Sequence, residues 1–205
     1  MIAALLVTFL AFNFGSAEAA SSKRNGQITM VSKLTMPQPS LPSDQFGLSV
    51  ASCKSLMAVS KIPSQLSLFN EFSDDDVTAN NPYMKLALGA VYIFITTISM
   101  TEPVAVLSKP DFNTMTSFGI SLAITEGFIF VGGKALYADV GYVYIFRKVS
   151  GYLSRSWEFW DKISFDLKAS HRLAATDEFL IISSTAASSD VGEVLVFNYD
   201  ESALK

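Results

Sequence analysis

The chain has 205 residues, a formal net charge of −4 and a hydrophobic content of 50%. This content is enough to bury the core of one domain or of two small ones, and it argues against disorder over most of the chain. The mild negative charge, without a sizeable basic cluster, argues against nucleic acid and anionic membrane surfaces as partners.

Residues 1–19 have the pattern of a cleaved signal peptide. Residues 1–14 are nearly all apolar, and Ala17–Ala19 has the small-residue form of a signal-peptidase site. No Lys or Arg precedes the apolar run and Asn13 interrupts it, so a membrane anchor and an arbitrary start within a longer gene stay as alternatives. We expect a secreted or cell-surface protein without a membrane span in its mature chain, and a linker at residues 20–27.

A sequence unit recurs along the rest of the chain. Adding 51 to the numbers of residues 118–146 gives residues 169–197, and ten positions are identical between the two segments. An earlier copy covers residues 46–94 and carries an insertion. Repetition at a fixed period indicates a repeat protein, in which each copy forms one structural unit.

Each copy begins with a predicted hairpin of two short strands. In the second copy, Ile120–Thr125 is one strand, Glu126–Gly127 the turn and Phe128–Val131 the partner strand. Lys54–Ser55 and Asp177–Glu178 occupy the same turn in the other two copies. The sequence therefore predicts the same hairpin three times.

A third and a fourth strand follow each hairpin. The third strand of the second copy, Tyr142–Phe146, is apolar at every position, which predicts burial of both of its faces. Less regular fourth strands are predicted at Pro103–Leu107 and Trp157–Ile163, and a similar segment, Ile28–Leu34, precedes the first copy.

Four strands in a unit of about 51 residues are typical of a β-propeller, whose four-stranded antiparallel blades stack around an axis. Residues 28–205 supply about three such blades, whereas propellers typically have about four to eight. We therefore expect an all-β, partial or truncated propeller. Each of its two end faces should be open and apolar, which favours self-association or completion by further sequence.

The repeats resemble FG-GAP repeats, which build the β-propeller heads of integrin α subunits and of many secreted or surface proteins. The matching elements are Phe46–Ala51 with Gly89–Phe94 in the first copy and Phe118–Gly119 with Gly141–Phe146 in the second. The resemblance covers residues 28–198, but Ala169–Ser170 replaces Phe-Gly in the third copy. It implies a non-catalytic module that binds a protein or glycan ligand through loops at one rim.

Many FG-GAP repeats bind calcium through an acidic loop between the first two strands of a blade. The three two-residue turns of this chain are too short and too poor in oxygen ligands, so we expect no cofactor there. Asp74, Asp75 and Asp76 form the one acidic run and lie in the insertion of the first copy. A solvated loop is the favoured interpretation, and a cation site at these residues is the alternative.

The candidate catalytic residues do not form a known constellation in the sequence. Gly119–Ala123 resembles part of the Gly-x-Ser-x-Gly nucleophile motif, but Ser121 lies inside a predicted strand rather than at a strand-to-helix turn. His171 is the only histidine and Cys53 the only cysteine, so zinc coordination is not expected, and an internal disulfide is excluded. We expect no enzymatic activity. The alternatives are a fragment of a propeller-type hydrolase or lyase and a truncated, inactive gene product.

Overall fold

The computed structural model describes residues 33–34, 44–62, 89–97, 102–111, 116–135, 139–149, 156–166, 170–185 and 192–199. All but Lys33 and Leu34 belong to one compact unit, Met36–Lys205; these two belong to the unit Met1–Thr35 and lie in no strand. The predicted signal peptide and linker and the acidic run Asp74–Asp76 fall outside the described residues, as does most of the predicted strand Ile28–Leu34.

The described residues contain eleven β-strands and no helix. In chain order they are β1 (Gln45–Cys53), β2 (Leu56–Ile62), β3 (Ala90–Ile95), β4 (Ala105–Ser108), β5 (Thr116–Ile124), β6 (Phe128–Ala135), β7 (Val140–Lys148), β8 (Trp157–Asp166), β9 (Ser170–Ala175), β10 (Phe179–Thr185) and β11 (Glu193–Asn198).

The strands form three antiparallel sheets, one for each repeat. The first sheet has the order β1-β2-β3-β4, the second β5-β6-β7-β8 and the third β9-β10-β11. Every hydrogen-bonded neighbour is also the next strand in sequence, so each sheet is a simple meander. The prediction of an all-β chain of successive antiparallel sheets is confirmed, and sheets of four, four and three strands are consistent with blades. Their arrangement as a propeller stays a prediction.

The second sheet lies between the other two and is buried on both faces. One core joins it to the first sheet, and a second core joins it to the third. The buried residues of the first core are Ala58, Val91, Ile93, Leu107, Phe118, Leu122, Ile124, Ile129, Val131, Tyr144 and Phe146; those of the second are Ala123, Phe128, Phe130, Val143, Ile145, Leu180 and Ile182. The uniformly apolar third strand was therefore a correct signal of burial on both faces.

The Phe-Gly pairs of the first two repeats mark equivalent irregularities in their first strands. Gly47 has a φ of +82° and Gly119 a φ of +100°, and the pairing register of each strand shifts at that point. Glycine adopts such a φ without strain and is the usual residue of a β-bulge of this kind. The third repeat lacks Phe-Gly, and β9 pairs with β10 without a register shift.

The two ends of the stack differ, which corrects the expectation of two open faces. On the first sheet, most of the apolar side chains that point away from the second sheet are buried, among them Met57, Val59 and Phe94, although Val106 of the edge strand β4 is 46% exposed. On the third sheet, Val194 is 63% exposed and Val196 is 61% exposed. The expected open apolar end is therefore found on the third sheet and is wrong for the first.

Candidate functional site

The turns that connect the first two strands of each sheet lie close together at one end of the stack. Lys54 Nζ in the first turn lies 2.5 Å from Glu126 Oε1 in the second, and the charge of Asp177 in the third acts on Lys54 and on Cys53. Within the described residues, no group of three or more His, Cys, Asp or Glu side chains could hold a metal ion. Asp74–Asp76 lie outside the described residues. The expectation that they bind no calcium therefore stays a prediction.

Cys53 lies beside these turns and is partly buried. Burial raises the pKa of its thiol, and the negative charges of Glu126 and Asp177 raise it further. Because the thiolate is the nucleophilic form, this environment makes Cys53 a poor nucleophile.

Ser121 and His171 approach each other across the core between the second and third sheets. A β-carbon on Gly132 would lie 2.1 Å from Ser121 Oγ and 2.3 Å from His171 Nε2, so all three positions adjoin. The contact between Ser121 and His171 was not predicted from the sequence. One signal was available: the column of Gly132 holds serine in the other repeats, as Ser60 and Ser183.

The Ser121–His171 contact is closed to solvent. His171 is only 1% exposed, and its ring lies edge-on to Phe165 with 5.2 Å between ring centroids. Burial, with a smaller contribution from the charge of Arg172, lowers the pKa of His171 to about 4, so the imidazole is neutral at pH 7. The hydroxyls of Ser121 and Ser184 and both ring nitrogens of His171 have no hydrogen-bond partner. Ser121 and His171 are therefore not accessible to a substrate from solvent in this structure.

An ionic cluster at the end of β4 ties the first sheet to the second. Asp111 accepts hydrogen bonds from Lys162 Nζ at 2.6 Å and from Tyr144 Oη at 3.3 Å, and it lies 3.1 Å from the buried Lys109 Nζ. Burial alone would raise the pKa of Asp111, but hydrogen bonds from Lys162 and Lys109 outweigh it and lower the pKa. Burial also lowers the pKa of Lys109, against the effect of Asp111. The cluster is a link between sheets, as expected of charges that are buried with partners.

The third sheet presents an accessible apolar surface, which we call the outer face of the third sheet. It consists of the side chains that point away from the second sheet, namely Arg172, Ala174, Phe179, Ile181, Ser183, Val194, Val196 and Asn198. Phe179 is 36% exposed, and both valines of β11 are more exposed still. An exposed apolar patch on a folded chain is a candidate interaction site.

The repeat explains why this face is apolar. Adding 51 to the numbers of Phe128, Phe130, Val143 and Ile145 gives Phe179, Ile181, Val194 and Val196. The first four residues are buried in the core that the second sheet shares with the third. The same positions of the repeat are therefore covered by a neighbouring sheet in one case and open to solvent in the other.

Of the features described, the outer face of the third sheet is the one that combines accessibility with a composition suited to binding. The Ser121–His171 contact and the Asp111 cluster belong to the interfaces between sheets. No protein-family model, curated protein or solved structure matches the chain.

Proposed function

We propose that the chain is a non-catalytic interaction module of FG-GAP-like β-propeller repeats, acting outside the cell or at a cell surface. The observation that carries the proposal is the exposed outer face of the third sheet, on which Val194 and Val196 of the edge strand β11 are each more than half exposed. Exposed apolar patches are characteristic of protein interaction sites. The ligand class that fits best is another protein, because the exposed apolar side chains of Phe179, Val194 and Val196 offer no hydrogen bonds to a glycan.

The extracellular location rests on the sequence of residues 1–19, which has the pattern of a secretory signal. No helix within the described ranges has the length and apolar character needed to cross a membrane. Detection of the chain in the medium of expressing cells, with the N-terminus of the recovered protein determined by mass spectrometry, tests this part of the proposal. A chain that stays inside the cell with residues 1–19 still attached would contradict the extracellular location.

A hydrolase is the second candidate, because Ser121 and His171 adjoin at Gly132. The weakness of this candidate is the burial of both side chains. A fluorophosphonate probe, which labels activated serines, separates the two functions. We expect no labelling of Ser121; labelling that disappears in the Ser121→Ala variant would favour the hydrolase.

Binding of the apolar dye bis-ANS tests the accessibility on which the interaction module depends. At submicromolar protein concentration the folded wild-type chain should bind the dye, and the Val196→Glu variant should bind much less. Val106→Glu is the matched control, since Val106 is 46% exposed but lies on β4 of the first sheet. Equal dye binding by wild type and Val196→Glu would contradict the proposal.

A further inference from the structure

We propose that the outer face of the third sheet binds the same face of a second copy of this chain, which gives a dimer with two-fold symmetry. This inference rests on the proposed function, because both use the same face. It adds the identity of the partner and the orientation in which that partner binds.

The first step of the argument is continuity with an interface within the chain. Phe128, Phe130, Val143 and Ile145 of the second sheet are buried against the third sheet. Their repeat equivalents form the outer face of the third sheet and are laid out in the same strand register. Sheets that bind face to face bury such side chains between them at a spacing of about 10 Å. The outer face thus has the composition and layout of a surface that binds another sheet.

The second step excludes a head-to-tail arrangement of copies. A sheet that followed the third sheet in the manner of the repeat would use the positions of Leu180 and Ile182, which in the first sheet are Met57 and Val59. Met57 and Val59 are fully or almost fully buried, so the positions that a head-to-tail contact with another copy would use are already covered on the first sheet. The open outer face of the third sheet can instead bind itself, as happens at every two-fold interface.

The third step is charge, which fixes the orientation. Arg172 is exposed on the outer face at one end of the β9–β10 hairpin, and Glu178 is exposed in the turn at the other end. A two-fold axis perpendicular to the strands reverses the direction of one sheet relative to the other. It therefore brings Arg172 of each copy toward Glu178 of the other copy, so that opposite charges flank an apolar centre on both sides.

Sedimentation equilibrium of the full chain over a range of concentrations tests the dimer. The wild type should reach twice the 22.3 kDa mass of one chain. Val196→Glu should weaken dimerisation by at least about 100-fold, because each copy then buries a carboxylate without a partner. Val106→Glu should dimerise like the wild type.

Charge-reversal variants provide a second test of the dimer that leaves the apolar side chains intact. They decide between dimer and monomer if Val196→Glu does not fold. Arg172→Glu and Glu178→Arg should each weaken dimerisation by roughly 5-fold, and the double variant should restore it. Circular dichroism and urea unfolding establish that each variant is folded.

The remaining outcomes separate this inference from the proposed function. A monomer at every concentration that binds bis-ANS, with Val196→Glu reducing the binding, overturns the dimer and supports an interaction module with a different partner. A monomer that does not bind the dye overturns both. A dimer that persists unchanged in Val196→Glu and in both charge variants uses another surface and also overturns the inference.

Discussion

The carbonyl oxygen of Phe118 lies 2.3 Å from the point that a β-carbon on Gly89 would occupy. Gly89 directly precedes β3 of the first sheet, and Phe118 lies on β5 of the second. The glycine before the third strand of one repeat thus makes room for the Phe-Gly pair of the next. The two most regular elements of the repeat contact each other across the interface between sheets.

Replacing Gly89 with alanine should destabilise the protein by about 2–5 kcal/mol, through strain at its φ of +111° and a clash with the Phe118 backbone. Gly47→Ala is the matched control. Gly47 also has a positive φ, +82°, but no atom lies within 4 Å of its added β-carbon. That variant should lose only about 1–2 kcal/mol. Urea unfolding measures both, and equal losses would show that the contact with Phe118 is not tight.

The free energy of unfolding should decrease as the pH falls from 6.5 to about 4, because of His171. Burial lowers the pKa of His171 in the folded chain from 6.5 to about 4, so in this window the unfolded chain binds more protons than the folded one. The contribution of neutral His171 to the free energy of unfolding is fully present above pH 6.5 and is lost progressively as the pH falls toward 4. It amounts to about 3 kcal/mol in total.

His171→Leu tests the assignment of this pH dependence. His171 is the only histidine, and the carboxyl of Asp111, whose pKa is lowered from 3.8, acts below the window. Urea unfolding of the variant at a series of pH values should therefore show a much smaller slope between pH 6.5 and 4. A slope as steep as that of the wild type would refute the role of His171.

The ion pair between Asp44 and Lys61 should contribute far more to stability than the pair between Lys54 and Glu126. Lys61 Nζ lies 2.7 Å from Asp44 Oδ2 with both side chains buried, whereas the other pair is largely exposed. Asp44→Leu leaves the buried ammonium without its carboxylate and should cost about 3–5 kcal/mol. Glu126→Ala should change the free energy of unfolding little.

The double variant Asp44→Leu/Lys61→Met completes this test. Removal of both charges should recover part of the stability that Asp44→Leu loses, because no unpaired charge then remains at Lys61. A double variant as unstable as the sum of its two single variants would show that the two charges act independently.

Millimolar calcium should leave the melting temperature unchanged, because the hairpin turns have two residues each and too few oxygen ligands. Binding to the folded chain alone would stabilise it by about 2.7 kcal/mol at a hundredfold excess over the dissociation constant. Differential scanning calorimetry with and without calcium is the measurement. A rise that disappears when Asp74, Asp75 and Asp76 are all replaced by Asn would place a site in the insertion.

The sequence predicted what is periodic in this fold. The repeat offset assigned the three hairpins and the separate sheets, and the uniformly apolar segment Tyr142–Phe146 predicted a sheet buried on both faces. Both follow from side-chain alternation and spacing, which are local properties.

The features it missed depend on how one sheet lies on another. His171 meets Ser121 because the third sheet contacts the second at Gly132, and Asp111 meets Lys162 from another sheet. Neither distance is encoded in strand periodicity. The burial of Met57 and Val59 on the outward face of the first sheet could not be predicted from composition, because apolar side chains occupy buried and open faces alike.

Hydrogen exchange of two equivalent strands, β6 and β10, tests the stacking of repeat sheets most directly. Each is hydrogen-bonded to strands on both sides, but β6 is covered on both faces of its sheet and β10 on one. In the Val196→Glu variant, which keeps the outer face of the third sheet open, the amides of Phe128–Ala135 should exchange much more slowly than those of Phe179–Thr185. Equal protection of the two strands, or slower exchange of β10, would contradict a stack in which the second sheet lies between the other two.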